Sequence, residues 1–424
     1  MRLKLKPIFL GLIIIIGMLS VQAISINSSL DWYVGTLKSE LWAAIQQPGL
    51  QSPKTELQTS SKSENQAALF PDPHSPAPGN NREKSLAFPL GWYSSVDYPD
   101  ALKRMATEEI NFVVPYTGKS DVKKVKTYLD RASAAGIQVM VEIPRLEVRR
   151  DHRWLITQFV KQLKDHPALH SWYLYDEPEY VKLSPRLLER VYQAIKTEDP
   201  KHNVAIAFGK LNRVEKYLKA LDTILYFNYP CYYDSPQFCN LESSVFGQLT
   251  ANIAPLVQEK DNFWMVLQGY GEDKYGRPTQ NNRRLPTIEE ERYMIYSSIL
   301  AQANGLLFWT HYRSQQFWID SVLTPLLEEL QNYLPAITSQ KTVPQAFADR
   351  STIQARLFRH PQDNSLLLIA LNQSSEVVET EIVLKPRIQA NYAQVIREER
   401  AITLNQGRLT DAFEPFAVHI YQIQ

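Results

Sequence analysis

The chain carries almost no net charge. Its 46 basic and 45 acidic residues leave +1 over 424 residues. A surface without a positive excess has little to offer a phosphate backbone, so nucleic acid is excluded as a partner. Cysteine is scarce too, with only two in all, Cys231 and Cys239. Two cysteines with no histidine at ligand spacing do not make a zinc site. No other cluster of His, Asp and Glu has the spacing of a metal site. Phosphate cradles are missing as well. Gly269-Tyr-Gly271 comes after an apolar run but leads into the charged stretch Glu272-Asp-Lys-Tyr-Gly-Arg-Pro278, not into a helix. No Gly-x-Ser-x-Gly elbow occurs, which removes the usual serine hydrolase. The expectation is a protein with no metal and no cofactor.

What is present is apolar and aromatic. Hydrophobic residues make up 44% of the chain and can build a sizeable core. Aromatic residues make up 11%, and 22 residues are Tyr. Tyr and Trp pair a flat apolar face with a polar edge, which suits sugar stacking as well as core filling. At the N-terminus Arg2, Lys4 and Lys6 precede the apolar run Ile8 to Leu19, and Ser20-Val-Gln-Ala23 offers a cut after Ala23. Residues 1–23 therefore read as a signal peptide or, since apolar residues continue to Ile26, as an uncleaved membrane anchor. Both predict export, to a secreted or periplasmic place, free or membrane-tethered. In such an oxidising compartment Cys231 and Cys239 are expected to form a short-loop disulfide.

Texture divides the rest. Residues 24–85 are mostly Gln-, Ser-, Pro- and Asn-rich beyond one short amphipathic stretch. They bury too little apolar surface to fold, so they read as a disordered tether. From 86 to 340, short apolar runs alternate with helical stretches. Strands are predicted at Pro89–Ser94, Phe112–Tyr116, Gln138–Ile143, Ser171–Tyr175, Val204–Phe208, Ile224–Asn228, Phe263–Gln268 and Leu306–Thr310. Helix starts are readable at Ser184-Pro185 and in the capping box Thr287-Ile-Glu-Glu290. Eight strand–helix alternations predict a (β/α)8 TIM barrel. Residues 346–424 show strands and turns without a helix period, and predict a small antiparallel β-sandwich.

The most telling stretch is His170-Ser-Trp-Tyr-Leu-Tyr-Asp-Glu-Pro178. A buried strand ends there in two adjacent carboxylates, and Pro178 stops the ladder. Asp176 reads first as structural, Glu177 as a fixed carboxyl group whose pKa burial can tune. Barrel chemistry sits at the C-terminal strand ends. Taking apolar residues as helix-facing leaves Glu142, Glu177, Asn228, Gln268, Trp309 and His311 on the inner rim, ringed by Tyr93, Tyr116, Tyr175, Tyr229 and Tyr270. Carboxylates, amides and aromatic faces together suit a polyhydroxylated ligand. Arg145 and Arg149 stand close enough in sequence to pair with Glu142.

On these residues the chain resembles the barrel glycoside hydrolases, in particular the retaining clan with paired Glu on the fourth and seventh strands. Tyr175-Asp-Glu-Pro178 is similar to that clan's Asn-Glu-Pro, Gly305-Leu-Leu-Phe-Trp309 to its eighth strand, and Phe413 to Tyr421 to the closing strand of the sandwich often found after such barrels. The resemblance implies a carbohydrate substrate and Glu177 as general acid/base. It departs at the seventh strand, where Gln268 stands in place of the nucleophilic Glu. Three readings are open. The second carboxylate comes from Glu142 or from Glu272 or Asp273; or Asp176 and Glu177 act as a pair on a substrate that supplies its own acetamido nucleophile; or the site binds sugar without cutting it. An exported glycoside hydrolase acting on an envelope or extracellular polysaccharide leads, with a carbohydrate-binding protein or a structural envelope protein as alternatives.

Overall fold

The computed structural model describes residues 88–118, 121–235, 238–260, 262–271 and 282–424. The N-terminal segments 1–23 and 24–85 and the loop carboxylates Glu272 and Asp273 lie outside the described residues. Eight parallel strands close into a barrel in sequence order: β1 (Leu90–Ser95), β2 (Phe112–Tyr116), β3 (Gln138–Glu142), β4 (Leu169–Asp176), β5 (Asn203–Phe208), β6 (Thr223–Phe227), β7 (Asn262–Gln268) and β8 (Leu306–Trp309). Pairing of Leu90 with Leu306 closes the ring.

Strand alternation makes two separate cores. Outward residues such as Trp92, Val141, Ile206 and Met265 pack beneath the surrounding helices. Inward residues, among them Phe112, Val114, Met140, Tyr173, Leu225, Trp264 and Leu307, fill the barrel itself. The interior is a packed plug, so any ligand must sit above it, at the C-terminal mouth. The helix Ile288–Leu300 starts with the expected reciprocal capping box of Thr287 and Glu290. Pro185 occupies the first turn of Pro185–Glu198, although Ser184 makes no side-chain cap there. Helices Leu249–Glu259 and Thr324–Ile337 each carry a proline in their interior, Pro255 and Pro335, and their sequence pattern did not announce them. Among the described residues no helix is long and apolar enough to cross a membrane.

The C-terminal part forms two antiparallel sheets. One has the order β10 (Ile353–Arg359), β11 (Leu366–Asn372), β16 (Val418–Ile423), β13 (Tyr392–Val395), β14 (Arg400–Thr403). The other has the order β15 (Arg408–Phe413), β12 (Val378–Lys385), β9 (Gln345–Ala348). β11 explains its own unbroken apolar run. Leu367, Ile369 and Leu371 join the barrel-side core, while Leu368 and Ala370 join the core between the sheets. A strand buried on both faces needs no polar alternation.

Candidate active site

A bulge in β4 sets the site. Tyr173 pairs with Ala205, but Tyr175 pairs with Ile206 and Asp176 with Ala207, leaving Leu174 as the extra residue. Regular alternation would put Tyr173, Tyr175 and Glu177 inward. The bulge instead turns Tyr175 outward, where its hydroxyl accepts from Arg149 Nε at 2.6 Å. Tyr175 is therefore not a rim residue. Asp176, beside the inward Ala207, faces the mouth of the barrel. Its charge acts on the hydroxyls of Tyr93, Tyr116, Tyr173 and Tyr229. Those phenols are pushed up chiefly by burial, and then by Asp176 at Tyr93, Tyr116 and Tyr173 and by neighbouring tyrosines ahead of Asp176 at Tyr229, so they remain neutral O–H donors around it.

Glu177 comes next, in the left-handed region, at φ 54°. A non-glycine residue pays to sit there, and such outliers gather where a side chain must be aimed. Its N–H donates to Ala207 O at 2.9 Å, which ties it to the tip of β5. Burial, then the neighbouring charges of Asp176 and Glu179, raise its pKa to about 7, against the pull of Arg145. Glu179 is raised too, mainly by burial; its Oε1 accepts from Gly209 N at 2.7 Å and Lys210 N at 3.1 Å. Two adjacent carboxylates thus sit in different surroundings: one half-buried and holding its proton near neutral pH, one paired with a cation.

That cation is Arg145, which sequence reading named only as a partner for Glu142. Its Nε meets Glu142 Oε1 at 2.5 Å and its Nη2 meets Asp176 Oδ2 at 3.0 Å. Burial opposes its charge, but Glu142 and Asp176 outweigh burial and keep it protonated. Glu142 faces inward as expected, yet it is only 2% exposed. Its Oε2 accepts from Thr117 N at 2.8 Å and Thr117 Oγ1 at 3.2 Å. Both oxygens are engaged: Glu142, expected as a second catalytic carboxylate, holds Arg145 and through it Asp176. Among the described residues, Asp176 Oδ1 accepts no hydrogen bond, which leaves that oxygen for a ligand.

Rings complete the mouth. Tyr229 stacks against Trp309 with centroids 5.8 Å apart and planes 22° apart, and Tyr270 meets Trp309 edge-on at 4.6 Å. Trp309 Nε1 donates to Tyr116 Oη at 3.0 Å. Tyr93, Tyr116, Tyr229, Tyr270 and Trp309 are thus brought together as anticipated. Three other residues are not. On β6 the inward residues are Leu225 and Phe227, the reverse of the expected parity, so Asn228 falls on the side of the outward Tyr226. His311 turns away in the short helical turn after β8. It packs edge-on against the outward Trp92 at 5.4 Å, with Arg104 Nη2 at 3.3 Å and Glu108 Oε2 at 3.5 Å.

Gln268 is the third. It occupies the inner end of β7 but is fully buried. Its Oε1 accepts from Cys231 N at 3.0 Å, and its Nε2 donates to the carbonyls of Cys231, Tyr270 and Arg284 at 3.0, 3.1 and 2.8 Å. No part of the amide is left for a sugar. Gln268 fastens the loop closed by the Cys231–Cys239 disulfide, whose Cα atoms are 4.6 Å apart.

No family model matches the chain, and no curated protein matches it. Solved structures match in fold. A β-L-arabinopyranosidase from Geobacillus stearothermophilus, in complex with arabinose, aligns with a TM-score of 0.53 at 11% identity, over 80% of this chain and 97% of that one. An α-amylase from Anoxybacillus aligns at 0.50 and 12% identity, over 78% and 90%. The maltose complex of AmyP aligns at 0.50 and 10% identity, over 78% and 92%. At such identities the likeness is one of fold: the closed eight-stranded barrel is an architecture shared with these three proteins.

Proposed function

We propose that this protein is an exported glycoside hydrolase acting on an envelope or extracellular polysaccharide, with Glu177 as general acid and Asp176 as its partner. The observation that carries the reading is the contrast within one dipeptide: Glu177 is raised to about 7, while Asp176 is ion-paired to Arg145 through Oδ2 and its Oδ1 has no hydrogen bond among the described residues. Paired titratable groups driven apart by their surroundings mark acid/base sites. Glu142 and Gln268 are both consumed by structural bonds, so neither competes for the second role. Asp176 and Glu177 then suit a 2-acetamido sugar. The acetamido oxygen attacks the anomeric carbon as the glycosidic C–O bond breaks. The Glu177 carboxyl gives its proton to the departing oxygen, while Asp176 Oδ1 accepts the acetamido N–H and steadies the positive ring so formed. Glu177, now ionised, takes a proton from water, which adds to the anomeric carbon and reopens the ring. The neutral tyrosine hydroxyls around Asp176 would donate to sugar oxygens. The disulfide, together with the basic-then-apolar N-terminus, supports an oxidising compartment.

A panel of glycosides with and without the 2-acetamido group tests this reading. Turnover confined to the acetamido substrates, and lost in Asp176→Asn, is expected. Equal turnover of plain glucosides would remove substrate assistance. Binding of sugars with no turnover would favour the alternative, a binding protein on a hydrolase fold.

A further inference from the structure

The rings of the mouth continue outward on two opposite sides. On the β1/β8 side, Tyr116 bonds to Trp309, and Tyr312 stands three residues beyond Trp309 in the helical turn after β8. Tyr312 stacks on Tyr98 with centroids 5.5 Å apart and planes 21° apart, and Tyr98 is 51% exposed. On the β4/β5 side, Trp309 passes to Tyr229, and Tyr229 stacks on Phe227 at 5.3 Å and 19°. Phe227 and Tyr180 then flank Gly209. A Cβ on that glycine would stand 2.8 Å from Phe227 Cζ and 2.9 Å from a Tyr180 ring carbon. The missing side chain is what lets the two rings adjoin. Tyr180 is 45% exposed, with Lys210 Nζ 4.4 Å from its ring centre. In a closed eight-stranded barrel β1 lies across from β5, so the band crosses the mouth and is exposed at both ends. Glu177 sits beside it, its carbonyl oxygen accepting from Tyr180 N at 3.2 Å.

We infer that this band seats a polysaccharide chain across the mouth, with Tyr98 and Tyr180 as outer stacking platforms, so that bonds are cut inside the chain and not at its end. Single exposed rings are common, but a run of them from one rim to the other, exposed at both ends, matches a ligand that is long in one direction. A site specific for chain ends needs a wall on one side of the reacting sugar; here both sides carry rings. The inference deepens the hydrolase reading and rests on it for the cutting step, while the seating of a chain stands on the rings alone.

The test uses the full chain and its variants Tyr98→Ala, Tyr180→Ala, Tyr98→Phe and Tyr180→Phe, all at exposed positions. Affinity electrophoresis is run in gels cast with xylan, β-glucan, glycol chitin or alginate. At least one polymer should retard the protein. Each Ala variant should bind that polymer about tenfold more weakly, the worth of one stacking contact, while the Phe variants keep the ring and the affinity. Where the retained polymer is cut, its viscosity should fall well before reducing ends accumulate. Retardation by none of the polymers, or retardation that neither Ala variant weakens, overturns the inference. Cutting of short glycosides without polymer binding would overturn it and leave the hydrolase reading standing. Polymer binding that depends on both rings, without cutting, would support the seating and remove the hydrolase reading.

Discussion

Replacing Glu177 by Gln should make the protein more stable at neutral and alkaline pH, because this carboxyl group is held where its charge is unwelcome. Burial is the main cause, with Asp176 and Glu179 adding repulsion, and together they lift its pKa from 4.5 to about 7. The sign is set by which state binds the proton. Below about pH 4.5 the carboxyl is neutral both folded and unfolded, and the full stability is present. Between about pH 4.5 and 7 the unfolded chain ionises first, so stability is lost as pH rises; above about pH 7 the loss is complete. A shift of this size corresponds to about 3 kcal/mol, and the part of the side chain still in water reduces it to about 2 kcal/mol. Glu177→Gln is neutral throughout. Its advantage over the parent should therefore be small at about pH 4, grow through the window, and level off by about pH 8. Urea midpoints measured across that range read the difference. Asp176→Asn, which removes the second cause of the shift, should move the window toward acid. A difference between parent and Glu177→Gln that does not change with pH would refute the reasoning.

Other perturbations separate structural from chemical roles. Arg145→Met leaves two carboxylates at the mouth without their cation, Glu142 buried, and should cost about 2–3 kcal/mol, less than a fully buried pair because Arg145 is partly exposed, as urea unfolding would register. Reduction of Cys231–Cys239, or Cys239→Ser, should cost about 2–3 kcal/mol for so short a closed loop, read as a fall in melting temperature on adding reductant. Gln268→Glu should yield no gain of hydrolysis; it would face three carbonyl oxygens with an acceptor and destabilise by about 3 kcal/mol or more, so a soluble variant that cuts sugars contradicts the structural role given to Gln268.

The barrel was legible because its signal is repeated eight times and strands buried on both faces need only an apolar run. Parity along regular strands carried through as well: on β7 Trp264 and Val266 point in while Phe263, Met265 and Leu267 point out, as their pattern requires. Parity failed where the strand was irregular. The extra residue Leu174 exchanges the roles of Tyr175 and Asp176, and nothing in a run of aromatic residues marks which one is extra. On β6 both faces are apolar or aromatic, so Phe227 could not be told from Tyr226 by polarity. His311 was misplaced because the strand stops at Trp309 and a helical turn redirects the residues beyond it. Strands β9, β14 and β15 went unread because they are short or carry charges on their open face. Arg145 was visible only as a partner for Glu142; that it reaches Asp176 depends on the bulge.

The claim that Glu177 delivers the proton is tested most directly by leaving-group dependence, measured with the parent and Glu177→Gln on the same sugar. With a natural sugar leaving group, the variant should lose roughly 10²–10⁴-fold in kcat/KM, the usual worth of a positioned acid. With a nitrophenyl leaving group, which departs without protonation, the loss should be far smaller, and the alkaline fall of the parent's profile near pH 7 should vanish. Equal losses on both substrates, or an alkaline limb that survives in Glu177→Gln, would contradict the assignment.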